Sequence, residues 1–217
     1  MLFLGEQRFK GLPNIPALAW FVAVLVPMVA SQVLRLHQHD PGGWIFWDYA
    51  GRISGLAILA AIPSASAVAF QRRNLRMALW QVPLWITAVV LADHYVGGWI
   101  RRTVNGLLPA TLLGAYPQPT GWLYWTDVVF GIALVAYSEE IVFRRCARHV
   151  FQAYLGDGPA MVLATSLLFG AYHWWTGVGN VIEAALMGVL FMLFLQRSRA
   201  LWPVVLGHYL TDIVDFA

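Results

Sequence analysis

The sequence predicts an all-α, polytopic membrane protein of about seven transmembrane helices, and three observations predict it. Of its 217 residues, 59% are hydrophobic and only 12% are Asp, Glu, Lys or Arg, about half the charged share of an ordinary soluble domain. So few charges cannot cover a soluble globule, and disorder needs the opposite balance. Apolar stretches at 16–36, 52–70, 75–96, 121–150, 159–175, 180–196 and 199–216 approach the roughly 20 residues that cross a bilayer as a helix. The 14 basic residues, all arginine except Lys10, fall between those stretches or near their ends, as topology signals do. The net charge of +3 is read in that light, and no nucleic-acid partner is expected. The partners expected are the lipid bilayer and a membrane-associated protein or peptide. A single cysteine, Cys146, excludes an internal disulfide.

Ahead of the first stretch, Glu6, Arg8 and Lys10 precede Pro13 and Pro16. This polar lead-in lacks a small-residue cleavage pattern, so no removable signal peptide is expected, although the first span can serve as an uncleaved anchor. With the N-terminus inside, the inner segments hold Arg8, Lys10, Arg72, Arg73, Arg76, Arg144, Arg145, Arg148, Arg197 and Arg199. The outer segments hold Arg52, Arg101 and Arg102. That bias predicts a cytoplasmic N-terminus and an external C-terminus, with bacterial plasma membrane as the expected location. Trp44, Trp47, Trp99, Trp122, Trp125, Trp174 and Trp175 then form an outer aromatic belt, while Trp20, Trp80 and Trp202 lie toward the inner face. Loop 97–120 is broken by Gly, Pro and Thr and reads as a re-entrant or interfacial segment. Residues 1–217 are expected to form one integral membrane domain, with 121–216 as its motif-bearing catalytic core in helices four to seven.

Ionisable residues inside spans are costly and usually functional. Span four ends in Tyr137-Ser138-Glu139-Glu140-Ile141-Val142-Phe143-Arg144. Span five ends in Phe169-Gly170-Ala171-Tyr172-His173. Span seven holds His208-Tyr209-Leu210-Thr211-Asp212. Each stretch carries a polar or aromatic pair one helical turn apart, on one face. Glu140 and Arg144 stand at i,i+4 in the favourable order for a salt bridge. Glu139 lies about 100° round the helix, has Phe143 at i+4, and is left free to work.

Depth supports one shared site. The turn Leu155-Gly156-Asp157-Gly158-Pro159 centres near 156, midway between 139 and 173. In an antiparallel hairpin both residues then sit about 25 Å from the turn. His208 stands about 14 Å above the 198–199 turn and meets them if the first hairpin projects further inward. Each residue also has a plainer reading: an interhelical hydrogen bond for a lone histidine, packing or topology for Glu140–Arg144, core packing for Phe169. Asp127 is about 18 Å from Glu139 along the helix, too far to share the site. Asp93 and Glu183 read as interfacial or structural, and Asp215 has no reading. Arg145, Arg148 and His149 read as snorkelling residues. Cys146 reads as inert, with reversible acylation an alternative.

A carboxylate beside two imidazoles, shielded from bulk water, fits activation of one water molecule. Glu139-Glu140-x-x-x-Arg144, Phe169-x-x-x-His173 and His208-x-x-x-Asp212, in that order and each in an apolar span, resemble the three motifs of the CAAX-protease and bacteriocin-processing (CPBP, or Abi) intramembrane endopeptidases. The resemblance covers about 121–216. It implies peptide-bond hydrolysis within or at the membrane. Glu139 would be the general base assisted by His173, with His208 and the residue one turn later stabilising the oxyanion. Glu140 and Arg144 would orient the first glutamate, with Phe169 in support. Many members carry Asn where this chain has Asp212. An ionised Asp would repel an oxyanion, so Asp212 is either protonated or orients His208. The short chain resembles the bacterial members, among them those associated with exosortase systems.

Alternatives stay open. Glu139, His173, His208 and Asp212 also form an N/O ligand set for zinc with a position left for water; the reading preferred on the resemblance uses no cofactor. No His-Glu-x-x-His, Gly-x-Ser-x-Gly or Gly-x-Gly-Asp is present, which argues against zincin, rhomboid and presenilin-type sites. A non-catalytic immunity or partner protein, or a proton-relay transporter, would use the same buried groups differently.

Overall fold

In the computed structural model, which describes residues 15–216, helices are joined by short turns, with no strand among the described residues. Glu6, Arg8, Lys10 and Pro13 lie outside the described residues. Helix α1 (Ile15–Leu36) is followed by α2 (Pro41–Ala61). The Asp40 side chain caps α2 by accepting from the Gly43 N–H at 2.7 Å, with Pro41 in the first turn; both are favoured at helix starts. Ile62 stops α2 in an extended conformation before Pro63, as expected where a proline ring crowds the preceding residue out of helix. The chain then turns by 113° into α3 (Pro63–Ala69). The apolar stretch 52–70 is therefore a bent pair and not one straight span.

Helix α4 (Gln81–Leu91) passes through a π-helical segment, Ala92–Gly97, into α5 (Gly98–Leu107). Ten residues of the region expected to be a loop are thus helical. Helix α6 (Gly121–Thr126), a π segment (Asp127–Gly131), α7 (Ile132–Glu139), a second π segment (Glu140–Ala147) and α8 (Arg148–Leu155) also run on without a gap. Helix α9 (Pro159–Tyr172), α10 (Val178–Ser198) and α11 (Trp202–Phe216) complete the bundle.

Two helices, Pro16–Leu36 and Val178–Ser198, are long and apolar enough to cross a membrane, or three if the bent α2–α3 pair counts as one span. The seven expected spans are not all of that kind. Helices α9 and α11 have 14 and 15 residues, a rise of about 21–23 Å against a hydrocarbon core of about 30 Å. The stretch at 75–96 starts its helix only at Gln81 and carries on to Leu107 through Arg101 and Arg102.

Close packing depends on small residues, as it does where helices pair in lipid. Helix α1 packs along α2, and α9 along α10. A Cβ on Gly51 would lie 2.0 Å from Ser31 Oγ, and one on Gly170 would lie 2.4 Å from the Val181 carbonyl oxygen. The Val181 oxygen is backbone and cannot step aside. Gly170→Ala is expected to destabilise the fold by about 1–3 kcal/mol, read as a lowered midpoint in denaturant-titrated detergent.

The tryptophans of the expected belt differ in exposure. Trp99, Trp122, Trp125 and Trp174 are exposed, as are Trp80 and Trp202. Trp44 and Trp175 are buried, and the Arg35 guanidinium lies 4.3 Å from each ring centroid. Trp20 is also buried and stacks on His149. Two of these indoles thus cover a guanidinium inside the bundle and the third covers an imidazole.

Candidate active site

The second π segment carries the centre of the site. Seven of its eight residues, Glu140 to Phe143, Arg144, Cys146 and Ala147, are buried, so the helix is enclosed on nearly all sides here. Successive carboxylates, Glu139 and Glu140, therefore both lie inside, at 1% and 0% exposure. π segments of this kind often occur at functional positions.

Glu139 is not free of a cation. Arg52 of α2 donates from Nη1 to Glu139 Oε1 at 2.7 Å, and to Ser138 Oγ at 3.2 Å. Its Nε donates to Asp48 Oδ2 at 2.9 Å. Asp48 also pairs with Arg35. A buried ladder thus runs Arg35–Asp48–Arg52–Glu139, alternating in sign. The sequence reading placed Asp48 in a loop and Arg52 in an outer segment; both are buried in α2. The signal available was their i,i+4 spacing, the same spacing that marked Glu140 and Arg144.

The other Glu139 oxygen, Oε2, is buried and has no hydrogen-bond partner. It lies 3.8 Å from His208 Nε2, and Asp212 Oδ1 lies 3.6 Å from the same nitrogen. Both separations exceed a direct hydrogen bond and suit a small bridging group. On the far side of the ring, Nδ1 lies 2.9 Å from Glu140 Oε1, so Nδ1–H donates to the carboxylate and Nε2 faces Glu139. Phe191 stacks on the imidazole, with centroids 4.9 Å apart.

Glu140 is shared between the His208 imidazole and the Arg144 guanidinium. Arg144 Nε sits 3.3 Å from Glu140 Oε2, and its guanidinium carbon lies 4.0 Å from the Phe169 ring centroid. Phe169 thus does more than fill the core, because its ring also packs against His173 at 4.8 Å. Its carbonyl oxygen accepts from His173 Nδ1 at 2.9 Å. That bond leaves Nε2 of a neutral His173 as the lone-pair nitrogen.

Glu139, His173, His208 and Asp212 line one cavity of about 350 Å³, with Arg52 and Phe169 also on its wall, within the size range of ligand pockets. The depth argument thus brings four residues from three hairpin-linked helices to one place. Asp93, Glu183 and Asp215 line the same cavity, and the burial of the first two fits the structural half of their reading. Among the described residues these three offer carboxylate oxygens within 4.8 Å of one another, and Arg101 pairs with Asp215 at 2.6 Å and Glu183 at 3.5 Å. Asp127 is elsewhere, accepting from Tyr49 at 2.7 Å and Tyr116 at 2.9 Å.

An all-helical bundle with apolar spans, and with five carboxylates and two imidazoles on one cavity wall, defines a class of membrane proteins that carry ionisable groups in their core. Residues 120–214 match the family model described as Type II CAAX prenyl endopeptidase Rce1-like. That match makes residues 120–214 similar to the CAAX-protease family, which is a family of proteases. No curated protein and no solved structure matches the chain.

Proposed function

We propose that this protein is an intramembrane endopeptidase in which Glu139 activates water to attack a peptide bond of a membrane-associated protein or peptide. The observation that carries the reading is the divided state of Glu139. Arg52 fixes Oε1, while Oε2 is buried, unpartnered and turned toward His208 on a cavity wall. A carboxylate held this way has one oxygen for orientation and one for a proton.

Water bound between Glu139 and His173 gives its proton to Glu139 Oε2 as its oxygen attacks the carbonyl carbon. The lone pair on His173 Nε2 helps align that water. His208 presents Nε2 to the oxyanion, and Glu140, accepting from Nδ1, compensates the charge that the ring carries. The proton held by Glu139 then passes to the departing amine. Asp212 orients His208 from 3.6 Å and need not touch the oxyanion. Accordingly, Asp212→Asn is expected to keep kcat/KM within about ten-fold of wild type, while His208→Ala lowers it by about 10²–10³-fold. Both are read by mass-spectrometric timing of peptide cleavage.

The reaction in this reading uses no metal. One feature favours a zinc alternative: both histidines have Nδ1 engaged and Nε2 left over, the usual arrangement of ligands steadied from behind. Zinc held by Glu139, His173, His208 and Asp212 would supply a more acidic bound water. Asp93, Glu183 and Asp215, whose carboxylate oxygens lie within 4.8 Å of one another, form a group on the same cavity that neither reading uses. Activity is expected to survive chelation unchanged; loss on chelation and recovery with added zinc would overturn this.

Residues 1–217 act in this account as one membrane domain, with 121–216 as the catalytic core and α4–α5, α9 and α11 completing about seven crossings. The arginine bias puts the N-terminus in the cytoplasm and the C-terminus outside, in a bacterial plasma membrane. Purified protein incubated with a membrane-spanning peptide tests the function. Cleavage that is lost in Glu139→Ala and in His173→Ala supports it. Cleavage retained in both variants sinks it and leaves the immunity-protein and proton-relay readings.

A further inference from the structure

A second polar cavity, of about 420 Å³, lies at the other end of the bundle. The two cavities take opposite ends of α10: Asn180 lines the first and Arg199 the second, about 28 Å apart along the helix axis. Arg73, Arg144, Arg145, Arg148, Arg199 and His149 line the second cavity, and Asp157 is its one carboxylate. The arginines arrive from three separate parts of the chain: the segment after α3, the α7–α8 helix, and the end of α10.

Their hydrogen bonds leave the cavity short of anions. Arg73 donates to Gln71, Arg145 to the Ala69 carbonyl, and Arg148 to Asp157. Arg144, 1% exposed, has Nη1 and Nη2 with no hydrogen-bond acceptor at all. Its contacts include Glu140, at Nε, and the Phe169 and Phe191 rings. A buried guanidinium without acceptors is expensive, and an oxyanion in the cavity it lines would meet that need.

What bears the oxyanion is indicated next door. A third cavity, of about 830 Å³, shares Gln71, Arg73 and Arg145 with the basic one. It continues along α7 and α11 past Tyr137, Ile141, Leu201, Trp202, Val205 and Leu206. Tyr137, Trp202 and Leu206 are exposed. A basic pocket that opens on an apolar groove at the end of a membrane bundle has the two-part chemistry of a phospholipid. We infer that these joined cavities bind one anionic phospholipid, its phosphate among the arginines and its acyl chains along α7 and α11.

The test uses the purified, delipidated full chain, with native mass spectrometry and thermal shift. The probes are phosphatidylglycerol, phosphatidylcholine and inorganic phosphate. Phosphatidylglycerol is expected to remain bound at one per chain and to raise the melting temperature. The double variant Arg73→Gln with Arg148→Gln is expected to weaken its binding by about ten-fold or more, as is Arg199→Gln to a lesser degree. Should the double variant not fold, Arg199→Gln, at an exposed position, decides alone. Phosphatidylcholine binding as tightly as phosphatidylglycerol, or variants binding as wild type, would overturn the site. Inorganic phosphate matching the lipid would overturn the lipid assignment and leave a plain anion site. None of these outcomes depends on peptide cleavage.

Discussion

Arg52→Leu will both destabilise and inactivate this protein. Its guanidinium is the one group that joins Asp48, at 2.9 Å, to Glu139, at 2.7 Å, and all three side chains are at most 5% exposed. Leucine leaves the Glu139 carboxylate buried without a cation, and leaves Asp48 with Arg35 alone. Breaking a buried pair from one side costs about 3–5 kcal/mol, which is a large part of the stability of an ordinary domain. Arg52→Lys is a partial remedy, since one ammonium cannot reproduce a fork whose Nε and Nη1 reach two carboxylates at once. The double variant Arg52→Leu with Glu139→Gln is expected to recover part of the loss, because it removes the stranded charge with its partner. Unfolding midpoints in detergent for the two single variants and the double form the cycle that checks this. Equal and additive midpoints would show that the pair does not hold the site.

Glu139→Gln gives the opposite profile. The amide oxygen still accepts from Arg52, so the fold should stand, yet Oε2 becomes an NH₂ that cannot take a proton. Cleavage is expected to fall by about 10²–10⁴-fold, the usual contribution of a positioned general base, with the unfolding midpoint little changed. A matched loss of stability would instead class Glu139 with Arg52 as a framework residue.

The difference between these two residues follows what was legible in the sequence. Glu139, His173, His208 and Asp212 announced themselves because ionisable groups are conspicuous in apolar spans, and equal distances from the Leu155–Pro159 turn put two of them at one height. Arg52 was hidden by the boundary chosen for its span. Starting that helix at residue 52 made Asp48 a loop residue, whereas α2 begins at Pro41 under the Asp40 cap. The seven-span outline is matched only in part by long apolar helices, for a related reason. Hydropathy marks where the chain is apolar, but Pro63 bends one stretch, and three π segments carry helices through Gly and charged residues that resemble breaks. Of the tryptophans grouped near span ends, Trp99 and Trp122 are exposed, while Trp44 and Trp175 clasp Arg35. No rule of periodicity says that an indole near a span end has a buried arginine to cover. Asp93, Glu183 and Asp215 lie far apart in sequence and meet only because α11 packs beside α4 and α10.

The most direct test of a glutamate-activated water is a single-turnover cleavage of a membrane peptide in H₂¹⁸O, with enzyme in excess. The new C-terminal carboxyl should carry one ¹⁸O atom in the first turnover, and Glu139→Gln should form almost none of that product in the same time. A first-turnover product without ¹⁸O would mean that an enzyme carboxylate, not water, attacks the peptide. Undiminished cleavage by Glu139→Gln would mean that this glutamate is not the base.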